Sequence, residues 1–179
     1  AKSETSKALN KISIGKVDQI VNDIEESVVS TITHNLRRYY TEVSPISEFF
    51  DYKGNYNTIF ESENSITLVK YSKDFKEIKT KSIKKPYSQF GGAITDAKGN
   101  YYIVYGEKDV AGTGESVVIS VVKYNSDFEY ISEVNYTGAE TRPYTGLEWG
   151  TCIPFWSGNC DIALNGNILV CTYGRLMYS

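Results

Sequence analysis

Asp51-Tyr52-Lys53-Gly54-Asn55-Tyr56 returns 45 residues later as Asp96-Ala97-Lys98-Gly99-Asn100-Tyr101. A second pair follows it, with Leu68-Val69-Lys70-Tyr71-Ser72-Lys73-Asp74-Phe75 returning 53 residues on as Val121-Val122-Lys123-Tyr124-Asn125-Ser126-Asp127-Phe128. The 8 residues separating the two shifts fall within Glu107 to Ser116, a Gly-bearing loop where extra length costs little closure entropy. A third copy begins at Asp161-Ile162-Ala163-Leu164-Asn165-Gly166-Asn167-Ile168. Its Gly166 stands 67 residues beyond Gly99, because Tyr144 to Asn159 adds a long aromatic insertion. Self-similarity at this spacing is the mark of a repeat architecture.

Each copy decodes into the same pieces. Gly92-Ala93-Ile94-Thr95 reads as a short strand entering the Asp96–Asn100 turn, where the Lys-Gly-Asn step supplies the positive φ of a tight hairpin. Tyr101 to Tyr105 is a second strand and Val117 to Tyr124 a third. Asn125-Ser126-Asp127 turns into a fourth, expected from Phe128 to Val134. Four-stranded antiparallel units of ~40–50 residues are blade-sized. The Asp-x-x-Gly-Asn turn, followed by the Val-Lys-Tyr-x-x-Asp-Phe strand pair, resembles the repeats of bacterial secreted β-propeller proteins across roughly residues 45–179. That resemblance implies a mainly β fold of propeller-type blades: blade 1 about 45–85, blade 2 about 86–137 and a partial blade 3 about 138–179. It says little of activity, because propellers host binding modules and several enzyme classes alike. The Ser-x-Asp-x-Gly-x-x-Trp box of sialidase-type blades and the Gly-His…Trp-Asp signature of WD40 repeats are both absent, so no functional residue is carried over from either.

The arithmetic of the repeats leaves an incomplete propeller of about two and a half blades, whereas closure takes at least about four. Three readings stay open: a piece of a longer protein, a chain completed by another chain, or a short open meander. Exposed sheet edges make the first two natural, since unpaired edges invite association.

Residues 1–44 differ from the rest. Val17, Ile20, Val21, Ile24, Val28 and Ile32 recur at helical spacing and, at about 100° per residue, fall on one arc of roughly 120°. They predict an amphipathic helix from about Lys16 to Arg38, although Val28-Val29-Ser30-Thr31-Ile32 also reads as a strand. The stripe is too short for a coiled coil and is expected to dock on its own domain or on a partner. The chain starts at Ala1 with no initiator Met, which is expected of a processed product or an expressed piece.

Composition narrows the function classes. The 179 residues carry a net charge of −3, against a nucleic-acid binder driven by bulk electrostatics. No apolar run approaches ~18 residues, so no membrane span is expected. Cys152, Cys160 and Cys171 are odd in number, which excludes a fully paired framework. Cys152 and Cys160 flank a loop that a local disulfide could close, or all three serve as small buried hydrophobes. His34 is the lone histidine and no Cys/His cluster exists, so neither a metal nor another cofactor is expected. Asn135-Tyr136-Thr137 matches the glycosylation pattern, a short motif of low specificity.

The candidate ligand-binding residues are Trp149, Trp156, Tyr144, Arg142 and Glu148, all in the stretch Arg142 to Trp156 at the aromatic insertion. Aromatic faces beside a guanidinium and a carboxylate suit stacking on a sugar ring or cradling a peptide. The competing reading makes both Trp residues core anchors between blades. Asp161 joins the candidates because it aligns with Ile94 on a strand expected to line the channel. Asp51 and Asp96 are better read as turn residues than as catalytic acids. Lys79, Lys81, Lys84 and Lys85 mark a basic edge strand. The expected function is an extracellular binding or adhesion module, secreted or at the cell surface, that takes glycan or peptide through its aromatic loop. A fragment of a propeller-fold glycan-active hydrolase or lyase is the alternative, and a structural repeat scaffold with no small-molecule site is the third reading.

Overall fold

A side-chain oxygen that can bond its own backbone two and four residues on will close a loop, and the described residues use that device four times. In Asp51–Asn55, Asp51 Oδ1 accepts the backbone N–H groups of Lys53 and Asn55, both at 2.9 Å. The N–H of Gly54 reaches the carbonyl of Asp51, and the N–H of Asp51 reaches the carbonyl of Asn55. The same four bonds recur in 72–76 from Ser72, in 96–100 from Asp96 and in 125–129 from Asn125. The fourth position of each loop has positive φ. Gly54 (75°) and Gly99 (85°) fill it in two loops, and Phe75 (54°) and Phe128 (62°) fill it in the others.

The computed structural model describes residues 46–141, 152–155 and 160–177, all within one compact unit, Asn35–Ser179. The helix expected over Lys16 to Arg38 lies outside the described residues. Among those residues the structure is strand and turn, and no helix is long and apolar enough to cross a membrane.

The four loops join the strands of two antiparallel sheets. The first sheet is β1 (Ile46–Phe50), β2 (Tyr56–Ser62), β3 (Ser65–Tyr71) and β4 (Glu77–Lys84), paired in that order. The second is β5 (Gln89–Thr95), β6 (Tyr101–Gly106), β7 (Val117–Tyr124) and β8 (Tyr130–Thr137), also in chain order. β8 starts at Tyr130, two residues later than the sequence suggested, because Phe128 occupies the left-handed position of its loop and cannot begin an extended strand.

The C-terminal part is arranged differently. β10 (Cys160–Asn165) and β11 (Ile168–Tyr173) form a hairpin closed by Gly166 and Asn167 alone, with Gly166 at φ 59°. This is the Gly-first pattern of a two-residue hairpin turn, unlike the five-residue loops above. The aspartate of the earlier loops is replaced here by Ala163. β12 (Arg175–Met177) does not extend this hairpin as a third strand but pairs with β9 (Cys152–Pro154). Only Gly174 separates β11 from β12, and one residue is too short to reverse a strand.

Alternation along the strands builds a layered core. Ile59, Ile66 and Leu68 of the first sheet meet Phe90, Ala93, Tyr101, Ile103, Tyr105, Val122, Tyr124 and Phe128 of the second. On its other face the second sheet presents Val104, Val118 and Ile119 to Phe155, Ile162, Cys160, Cys171 and Tyr173. The second sheet is therefore covered on both sides. β5 lies against β1 on one flank and β10 on the other. β8 is exposed along nearly its whole length. Strands of the first two sheets are also tied by polar bonds: Tyr101 Oη donates to Asn57 Oδ1 (3.0 Å), and the N–H of Ala93 donates to Ser47 Oγ (2.7 Å).

Candidate functional site

Of the six candidate binding residues, Trp149, Trp156, Tyr144, Arg142 and Glu148 lie outside the described residues, and only Asp161 is placed. Asp161 is exposed on β10 opposite Thr172, and its Oδ1 accepts the N–H of Ile162 at 2.9 Å. Its neighbour Ile162 takes the inward position, 3.2 Å from where a Cβ on Gly92 would stand.

The last described residues of the aromatic insertion are Pro154 and Phe155, and both are buried. Phe155 is at φ 55°, and its ring stands edge-on to Tyr173 with centroids 5.9 Å apart. It fills a hollow that only glycine leaves open. A Cβ on Gly91 or on Gly106 would lie 2.6 Å from the Phe155 ring. The glycines of β5 and β6 thus form a notch, and Phe155 is the wedge seated in it. Phe155, next to Trp156 in the chain, is a core anchor between the second sheet and Tyr173.

The turn carboxylates are fully engaged. Asp51 takes two backbone N–H groups on Oδ1, and on Oδ2 the Asn55 amide (3.1 Å) and the Lys70 ammonium (2.6 Å). Burial opposes ionisation of Asp51, but the Lys70 and Asn55 bonds outweigh it and hold the pKa at about 2. In the second sheet Lys123 sits over the Tyr102 ring, and Tyr102 Oη donates to Asp96 Oδ2 (3.2 Å) beside the Asn100 amide (2.8 Å). Burial likewise opposes ionisation of Asp96, and the Asn100, Lys98 and Tyr102 bonds outweigh it to lower its pKa. Neither carboxylate has a free lone pair to offer a substrate, in keeping with the turn role read from the sequence.

The basic edge is also engaged. Lys79 and Lys81 of β4 reach across to the 125–129 loop, bonding Asp127 Oδ1 (2.9 Å), the Ser126 carbonyl (2.9 Å) and the Asp127 carbonyl (2.5 Å). Lys85 pairs with Glu61 and also donates to the Ser88 carbonyl at 2.7 Å. Desolvation dominates at Glu61 and pushes its pKa up despite that partner.

Two features escaped the sequence reading. Asp109 is buried in the 107–116 loop, where it accepts the N–H groups of Gly112 (3.1 Å) and Gly114 (2.9 Å). An interval that looked like tolerant spacer is therefore an ordered turn, also tied to the end of β8 through Gly138 and Ala139. The second feature is a pair of free thiols, Cys160 and Cys171, with sulfurs 3.8 Å apart. Counting outward from the Gly166-Asn167 turn would have set them on one face of the hairpin. Chain proximity pointed instead to Cys152 and Cys160.

Among the described residues, no group of three or more His, Cys, Asp or Glu side chains is placed to hold a metal ion. No family model, curated protein or solved structure matches the chain.

Proposed function

We propose that the stacked sheets are consecutive blades of a β-propeller and that the chain is an extracellular binding module. In this reading it takes a glycan or an extended peptide on the aromatic stretch from Arg142 to Trp156. The observation that carries the reading is the Phe155 wedge. It seats the described part of the insertion in the glycine notch, and Trp156 is the next residue in the chain. Large aromatic side chains lose little entropy on binding and stack on the apolar face of a sugar ring. The blade reading is supported by the adjacency of β1, β5 and β10, which would be the inner strands, and by the exposure of β8, which would be an outer one.

The test is binding of the full chain to a glycan array and to immobilised peptides, with and without the double substitution Trp149→Ala/Trp156→Ala. Loss of two such anchors is expected to weaken binding at least tenfold, corresponding to about 1.4 kcal/mol or more. Unchanged binding by a folded double variant overturns the reading.

A further inference from the structure

Cys160 stands opposite Tyr173 in the hairpin register and Cys171 opposite Ile162, so the two cysteines are diagonal neighbours on one face of the β10–β11 hairpin. Their sulfurs are 3.8 Å apart and half-buried, beside the Phe155 ring and the second sheet. Disulfides need both Cβ vectors on the same side and a short approach, and cross-strand neighbours on one face supply both. We propose that Cys160 and Cys171 form a redox-convertible dithiol, closed to a cross-strand disulfide by a small-molecule disulfide oxidant and reopened by thiols.

The two sulfurs share one hydrogen bond, in which either S–H can donate to the other sulfur. With the Cys160 S–H donating, the bond holds the Cys171 thiol below the usual cysteine range and, together with burial, pushes Cys160 up. In that arrangement Cys171 is the attacking thiolate. It displaces one thiolate from the oxidant R–S–S–R and becomes the mixed disulfide Cys171–S–S–R. Cys160 then gives up its proton to solvent and attacks Cys171 Sγ, displacing the second thiolate. Two protein thiols and one R–S–S–R become one protein disulfide and two R–SH, so atoms and electrons balance. Closure fastens the hairpin that carries Ile162 against Gly92, on the same side of the second sheet as the Phe155 wedge.

The experiment incubates the reduced full chain with oxidised glutathione, then measures intact mass, maps peptides and records the thermal midpoint. The wild type and Cys152→Ser are both expected to lose about 2 Da, the mass of two hydrogens. The mapped link should be Cys160–Cys171, with Tm rising by about 5 °C on closing the loop. Cys160→Ser is expected instead to retain a glutathionyl adduct on Cys171, because the resolving sulfur is gone. Three results overturn the proposal: a Cys152–Cys160 or Cys152–Cys171 link in the wild type, a stable adduct on Cys171 in Cys152→Ser, or thiols that stay free in both. Should Cys152→Ser fail to fold, the wild-type peptide map decides alone.

Discussion

Phe75 and Phe128 occupy the same backbone position in sister loops, both left-handed, yet their side chains meet different fates. Phe128 is buried against Tyr101 and Tyr124, with ring centroids at 5.4 and 5.3 Å, whereas Phe75 is 40% exposed. A left-handed non-glycine residue costs ~1–2 kcal/mol, which burial repays at Phe128 far better than at Phe75. Phe128→Gly is expected to lose about 2–4 kcal/mol in denaturant unfolding, and Phe75→Gly to change stability by less than about 1 kcal/mol. Asp51 gives the pH counterpart. Its folded pKa, about 2, lies below its ordinary value of 3.8, so its contribution is present above that value and is lost as pH falls towards 2. The shift corresponds to about 2 kcal/mol for this buried carboxylate. Asp51→Asn should therefore destabilise by about that much at neutral pH and by almost nothing near pH 2, as urea midpoints across the range would show.

At the scale of elements, the glycine notch and its wedge form one unit. Gly106→Ala would set a methyl 2.6 Å from the Phe155 ring and 2.7 Å from Pro154 Cγ, a clash costing ~1–3 kcal/mol. Phe155→Ala removes a buried ring at ~3–5 kcal/mol, and the double variant should be clearly less destabilised than the sum. Strict additivity in that cycle would mean that the two groups do not meet. The turns at Asp51 and Asp96 were legible in the sequence because Asp followed by Lys-Gly-Asn states both the side-chain acceptor and the positive φ. The start of β8 was not, because phenylalanine ordinarily signals an extended chain and nothing local says that Phe128 bends left-handed to reach the core. Of the candidate site, Asp161 was read on a strand, and β10 carries it. The direction of its side chain was not legible, because the C-terminal hairpin has a shorter turn than the copies used to align it. The thiol pair needed the hairpin register, which emerges only once that turn is fixed.

For the whole molecule, position in the stack should set local stability. β6 and β7 are interior to a sheet packed on both faces, while β8 is an exposed edge. Hydrogen exchange is expected to be slowest in β6 and β7 and markedly faster in β8, and equal protection across the sheet would contradict the layered core. The second sheet also has two unlike sides. Toward the first sheet it shows bulky rings and hydroxyls, with Tyr101 bonded to Asn57 and Tyr105 bonded to Tyr124 (3.1 Å). Toward the hairpin it shows hollows at Gly91, Gly92 and Gly106. A segment turned back to front would set ring against ring and hollow against hollow. Succession in this stack is thus polar, like that of keyed parts: permuting the order of the segments would leave every sheet its own ladder of bonds and still prevent the pieces from seating.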